Sequence, residues 1–184
     1  MTVTQQVMIT PEGVTVNGRP LSVNARGASL LTALYRAEVN DYPRFFKMDP
    51  LSKLGFLASE LLLKADGSRH ADSADRAVIL FGRSGSLCCD RSYQQTIEHA
   101  DDYFPSPSLF VCTLPNIVTG EIALRNGYHG ETAFYLLEHR DEQLMRLTVE
   151  AALHDGTARS VISGWIDYAS DTQFVAELEL NIKD

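Results

Sequence analysis

The run Ala77-Val-Ile-Leu-Phe81 limits the possible folds of this chain more than any other segment. Five consecutive apolar residues, rich in β-branched and aromatic types, predict a strand that is buried on both faces. Strands of this kind belong to parallel sheets that are covered by helices on both sides. Gly82-Arg-Ser-Gly-Ser86 follows as a turn. We therefore expect a sheet that is packed between helices.

Strand-like and helical segments alternate over the rest of the chain. Apolar residues at helical spacing, an Asp49-Pro50 start and a stop at Gly127 mark the helices, while residues 100–108, with two prolines and two aspartates, predict a loop. The predicted helices are residues 28–39, 50 to about 64, 116–126 and about 140–154. The other predicted strands are residues 132–137, 160–166 and 174–182.

The N-terminal segment predicts a β-hairpin. Val7-Met-Ile9 and Val14-Thr-Val16 flank Pro11-Glu-Gly13, and glycine provides the positive φ of a tight turn. We expect this hairpin to be an extension over about residues 5–20. Residues 1–184 are then a single α/β domain, with a mixed sheet of about five strands packed with helices, plus the hairpin.

Charge and cysteine content exclude several classes of protein. A net charge of −8 opposes nucleic-acid binding and unassisted binding to anionic membranes, so we expect neither partner. Three cysteines are an odd number, and adjacent Cys88 and Cys89 suit no disulfide framework. The N-terminus lacks the pattern of a signal peptide, and no apolar run is long enough to span a membrane. The expected location is a reducing cytoplasm.

The most specific motif lies in residues 105–130. Pro115-Asn116 precedes a helix of small residues that includes Gly120, and Gly127-Tyr-His-Gly130 then leads into a strand. This pattern resembles the segment before the active-site strand of the β-ketoacyl (3-oxoacyl-acyl-carrier-protein) synthases, a family of the thiolase-like superfamily.

Two earlier segments resemble the same family in the same order. One is the helix that follows Met48-Asp49, and the other is the strand and glycine turn at residues 78–86. Together the three segments cover about residues 28–168. The resemblance implies the N-terminal half of a thiolase-like fold, and the opening hairpin has no counterpart in it.

The resemblance also implies that two catalytic elements are missing. Counted from Gly130, His139 occupies the position of the family's nucleophilic cysteine, and no cysteine follows Cys112. In the family that cysteine opens the central helix, whose N-terminal dipole favours the thiolate. The family's C-terminal half, with two histidines that stabilise oxyanions, has no counterpart in 184 residues. We therefore expect no condensing activity.

His139 is the one candidate catalytic residue, and two interpretations stay open. A helix N-terminus lowers a histidine pKa, which would leave a neutral base facing a pocket. The other interpretation, which we favour, is that His139 merely replaces the nucleophile on a helix now used for packing. Glu138, Asp141 and His129 would be its partners, although they are near it only in sequence.

The glycine turn and the cysteines predict structure rather than a ligand site. Residues 82–86 match neither the Walker spacing nor the dinucleotide-binding fingerprint. We therefore favour a structural turn over a phosphate-binding loop. Cys88-Cys89 lacks a second ligand pair at zinc spacing, and Cys112 lies in an apolar segment. We expect all three to pack as small apolar residues, and we predict no metal and no cofactor.

The last predicted helix favours self-association. Its apolar residues occupy most of the circumference, so more than one side should be buried. They are Leu144, Met145, Leu147, Val149, Ala151, Ala152 and Leu153. Since half of the fold is absent, we expect a dimer, either with a second copy or with a full-length ketosynthase. The homodimer is favoured because homodimers are the commonest soluble oligomers.

Three functions are compatible with these patterns. The first is a non-condensing accessory subunit in fatty-acid or polyketide-like biosynthesis, for which an acyl carrier protein is a possible further partner. The second is a thioester-processing decarboxylase or hydrolase that uses His139. The third is a module that binds an acyl chain without chemistry.

Overall fold

The computed structural model describes residues 1–69, 71, 74–154 and 156–183. In these residues the strands are β1 (Thr2–Thr10), β2 (Gly13–Val16), β3 (Arg19–Leu21), β4 (Ala77–Gly82), β5 (Thr132–Leu136), β6 (Ser160–Ser170) and β7 (Gln173–Ile182). The α-helices are α1 (Ala28–Glu38), α2 (Pro50–Asp66), α3 (Leu87–Gln95), α4 (Pro107–Val111), α5 (Ile117–Asn126) and α6 (Glu142–His154). Short 3-10 helices lie at Pro43–Lys47 and Ala100–Asp102.

The seven strands form one mixed sheet in the order β3-β2-β1-β7-β6-β4-β5. Strand β4 pairs in parallel with β5 and with β6, whereas the other neighbours are antiparallel. The predicted α/β class and mixed sheet are confirmed. The sheet has seven strands, not about five, because the hairpin is no separate extension: β1 pairs with β7, with Val7 opposite Leu178, and β3 adds a further strand.

Strand β4 is buried along its whole length, as its sequence predicts. Its residues alternate between two cores because successive side chains of a strand point to opposite faces. Val78 and Leu80 join the larger core, which holds the buried faces of α1, α2 and α5. Ile79 and Phe81 join a second core that contains Trp165 and the buried face of α6.

Helix α2 begins where the sequence predicts. The Asp49 carboxylate accepts a hydrogen bond from the Ser52 backbone N–H at 2.9 Å, and Pro50 occupies the first turn. Gly67 ends the helix in a left-handed conformation. The helix starts and stops at local signals, so its position needed no tertiary information.

Glu60 lies in the middle of the apolar face of α2 and is only 1% exposed. Its carboxylate pairs with Arg69 at 2.7 Å and with Arg125 of α5 at 3.2 Å. Burial of an unpaired carboxylate costs several kcal/mol, so loss of both arginines would destabilise the protein by roughly 3 to 5 kcal/mol. This cluster joins α5 to α2.

Two helices were not predicted from the sequence. Helix α3 follows the glycine turn, and α4 begins inside the predicted loop at residues 100–108. Ser106 accepts a hydrogen bond from the Leu109 backbone N–H at 3.4 Å, and Pro107 opens the helix. Proline suits both a loop and the first turn of a helix, and here it begins a helix.

Within the described part of the chain, no helix has the length and apolar character that a membrane span requires.

Gly164 of β6 provides a test of the close contact between β6 and β7. Its φ is +150°, and an added Cβ would lie 2.0 Å from the backbone oxygen of Glu177. We expect Gly164→Ala to lower the free energy of unfolding by on the order of 3 kcal/mol, because neither strand backbone can move aside. Chemical denaturation followed by circular dichroism measures this change.

Gly120→Ala is the matched control, because a Cβ on Gly120 within α5 meets no atom within 4 Å. Alanine favours the helix more than glycine does, so this variant should gain about 0.5 to 1 kcal/mol. Equal stability of the two variants would contradict the proposed steric cause.

Candidate functional site

The candidate site is the segment between β5 and α6, which contains His139. The Asp141 carboxylate accepts a hydrogen bond from the Leu144 backbone N–H at 3.0 Å, so Asp141 caps α6. His139 therefore lies two residues before the cap, and its side chain is exposed to solvent. A backbone N–H at the N-terminus of α6 is thus engaged by the Asp141 carboxylate.

The proposed partners of His139 do not converge on it. Glu138 is exposed, and Asp141 is engaged at the helix cap. His129 lies beyond the other end of β5, a strand about 16 Å long, where its backbone N–H donates to the Ala74 oxygen at 2.7 Å. Arg140 forms ion pairs with Glu142 and Glu177. The geometry thus provides His139 with no acid or base partner among Glu138, Asp141 and His129.

The glycine turn at residues 82–86 uses its polar groups within the protein. The Ser84 backbone N–H and hydroxyl donate to the Asp167 carboxylate at 2.7 and 3.2 Å. The Ser86 hydroxyl donates to the Thr113 oxygen at 2.6 Å. These bonds fix the turn between β4 and α3 to β6 and to the segment after α4, so they serve the fold.

The cysteines lie close to an aspartate that the sequence marked only as a helix cap. The Sγ atoms of Cys89 and Cys112 and a carboxylate oxygen of Asp49 all lie within 4.8 Å of one another. Cys89 is buried on α3, and Cys112 is half-buried at the end of α4, where its thiol donates to the Ser108 oxygen at 3.3 Å. Cys88 is not part of this group.

Burial raises the pKa of all three thiols above the usual cysteine range. The nearby Asp49 carboxylate raises the pKa of Cys89 and Cys112 further, because it disfavours a second negative charge. Nucleophilic cysteines have a lowered pKa, so the environment of these thiols is the opposite of a catalytic one.

A cavity of about 590 Å³ lies beside Cys112 and Asp49. Arg44 and Glu121 are also in its wall, where Arg44 donates to Oε1 of Glu121 at 2.7 Å. Glu121 is 9% exposed, and its Oε2 atom is buried with no hydrogen-bond partner among the described residues. No spacing in the sequence predicts this group, since its members come from segments far apart along the chain.

An exposed apolar surface lies at the free edge of the sheet. Strand β5 lies at the end of the strand order and, among the described residues, pairs only with β4. Its Leu136 is 57% exposed. Leu136 lies near Gly85 and Pro115, so the surface continues onto the segment that contains α4. We call this the β5–α4 surface; its exposed apolar side chains are Leu87, Phe110, Val111, Leu114 and Leu136.

Helix α6 has a second exposed face. It buries one side, formed by Met145, Val149, Ala152 and Leu153, against the sheet. Leu144 and Leu147 are about half exposed on the outer side, where Arg146 pairs with Glu150. The sequence predicts a helix buried on several sides, whereas within this chain α6 is buried on one side only.

The comparisons with known proteins are structural. No protein-family profile and no curated protein sequence matches the chain. The ishigamide ketosynthase/chain length factor matches with a TM-score of 0.69 at 18% identity, over 97% of this chain and 60% of the other. A ketosynthase in complex with its chain length factor from Xenorhabdus doucetiae matches with a TM-score of 0.69 at 14% identity. This match covers 100% of this chain and 79% of the other. The chain thus spans about 60% of the first protein's length and has the thiolase-like fold of ketosynthase and chain length factor proteins.

Proposed function

We propose that this protein is a ketosynthase-like accessory subunit that does not itself condense acyl units and that pairs with a complete ketosynthase in polyketide-type biosynthesis. The observation that carries the proposal is His139, which stands where the resemblance implies the nucleophilic cysteine. Two structures of the same fold come from ketosynthase and chain length factor proteins. An acyl carrier protein is a proposed further partner of the complex, and the reducing cytoplasm is its proposed location.

The chemistry of position 139 supports a subunit without acyl transfer. A condensing nucleophile must accept an acyl group as a thioester, which requires a thiolate at the end of the active-site strand. His139 provides an exposed imidazole there, with no hydrogen-bond partner among the described residues. The thiols of Cys89 and Cys112 have a raised pKa, which disfavours the thiolate that acyl transfer requires.

The β5–α4 surface supports pairing with a second protein. An unpaired edge strand offers backbone N–H and C=O groups to a strand of another chain. Exposed leucine and phenylalanine side chains on α4 and β5 add an apolar area of the kind that interface cores contain. Because one match is a ketosynthase in complex with its chain length factor, the proposed partner is a ketosynthase rather than a second copy.

The proposed pairing predicts that Leu136→Glu will weaken the complex with a complete ketosynthase. A charge placed at the centre of a buried apolar contact costs roughly 2 kcal/mol, which corresponds to about a 30-fold loss of affinity. Co-expression followed by size-exclusion chromatography with light scattering gives the stoichiometry, expected as one copy of each protein. Calorimetry gives the affinity of each variant.

Met8→Glu is the control, because Met8 is also an exposed apolar residue, at 40%, but lies on β1. Four steps between neighbouring strands separate β1 from β5, about 19 Å. This variant should bind the ketosynthase like the native chain. A homodimer that excludes the ketosynthase, or equal loss of binding in both variants, would overturn the proposed partner or surface.

The absence of acyl transfer predicts that acyl- and malonyl-carrier thioesters will be unchanged after incubation with the purified protein. Intact mass spectrometry should show no acyl adduct, and His139→Ala should behave like the native chain. An active complete synthase is the positive control. Substrate loss that His139→Ala abolishes would instead establish the thioester-processing enzyme, and saturable binding of an intact acyl thioester would support the acyl-binding module.

A further inference from the structure

We infer that Asp49, Cys89 and Cys112 form a binding site for a zinc ion. The inference goes beyond the proposed function, because the site lies at α2, α3 and α4 and uses no residue of the β5–α6 segment. Its basis is the approach of three potential ligands from three separate parts of the chain. Two of them are cysteines that stand 23 positions apart in the sequence.

The geometry of the three ligands is close to that of a zinc centre. In a tetrahedral site the Zn–S distance is about 2.3 Å and the Zn–O distance about 2.0 Å, so neighbouring ligand atoms lie roughly 3.5 to 3.8 Å apart. The two sulfur atoms and the Asp49 oxygen already lie within 4.8 Å of one another. Small side-chain adjustments therefore suffice to bring them onto a common ion.

The donor types favour zinc over the harder cations. Two thiolates and one carboxylate suit Zn²⁺, whereas Mg²⁺ and Ca²⁺ prefer all-oxygen sites. Each thiol releases one proton when it binds the ion. The two thiolates and the carboxylate then carry three negative charges, against two positive charges on the ion. Water would complete the tetrahedron, because Asp49 and Cys112 also form part of the wall of the 590 Å³ cavity.

A second observation points to a cation at this cavity. Glu121 is buried in the same wall, and its Oε2 atom has no hydrogen-bond partner among the described residues. A buried carboxylate oxygen without a donor is costly, and a bound cation with its water would provide both charge and hydrogen bonds.

The ion would join the start of α2 to α3 and to the segment after α4, a helix that already contacts α3 through the rings of Phe110 and Tyr93. Asp49 caps α2, Cys89 lies on α3, and Cys112 follows α4. Helix α4 has no buried residue of its own, and its Phe110 and Val111 are exposed on the β5–α4 surface. A zinc ion would thus fix α4 to α2 and hold this surface in one shape.

Metal titration of the full chain tests the inference. Reduced protein is freed of metal with a chelator and then titrated with Zn²⁺ against a chromophoric chelator, and separately with Co²⁺. We expect one ion per chain, a near-ultraviolet thiolate-to-cobalt band, visible bands of a tetrahedral site, and a higher thermal unfolding midpoint with zinc. Loss of a residue that only hydrogen-bonds to a metal ligand lowers metal affinity about 10- to 100-fold. Because Cys112 would be a direct ligand, Cys112→Ser should lower the zinc affinity by more than about 100-fold.

Cys88→Ser is the matched control, since Cys88 adjoins Cys89 on α3 but is outside the ligand group. It should bind zinc like the native chain. Asp49→Asn keeps a good helix cap while it removes the charged ligand, so it should fold and bind zinc more weakly. Cys112→Ser alters a half-buried side chain, which keeps the test valid if Cys89→Ser fails to fold.

Three results would overturn the inference. The first is absence of Zn²⁺ binding at tens of micromolar by reduced native protein. The second is a loss of affinity in Cys88→Ser equal to that in Cys112→Ser. The third concerns protein whose reduced form binds no metal. It is the formation of a Cys89–Cys112 disulfide when a peroxide removes the two thiol hydrogens under mild conditions.

Discussion

The burial of β4 on both faces is the constraint on which the other elements depend. An apolar strand in the middle of a parallel arrangement must be covered on each side, and alternation sends Val78 and Leu80 to one core and Ile79 and Phe81 to the other. Helices α1, α2 and α5 cover the first face. In the part of the chain that the structure describes, α6 is the one helix in the second core, so helices cover one side of the sheet more thickly than the other. That asymmetry leaves the outer side of α6 exposed.

The same asymmetry places the candidate site at the surface. In this chain α6 begins at Asp141, and His139 lies before it in solvent. A helix that is covered on both sides would remove such a residue from water and give it partners. Here the side chain is exposed, and no carboxylate of the described residues forms a hydrogen bond or ion pair with it.

The cysteines illustrate how the fold creates a site from unrelated segments. Cys112 lies in the segment that contains α4, which joins α3 to α5, while Asp49 begins α2, two α-helices earlier. Each has a local role, as a small half-buried residue or as a cap. Their proximity follows from the packing of α3 and α4 beside the start of α2. A ligand group of this kind leaves no spacing motif, unlike paired cysteines two positions apart.

The sequence by itself determined the elements whose signals are local. It placed β4 from its apolar run, α2 from Asp49 and Pro50, and α5 from its stop at Gly127, and the motif at residues 105–130 indicated the thiolase-like fold. Tertiary structure alone decided the rest. The hairpin joined the sheet because the edge of β7 needed hydrogen-bond partners, and Glu60 could be buried because two arginines from distant segments reach it. Contacts between residues far apart along the chain depend on the path of the backbone, which no local pattern encodes.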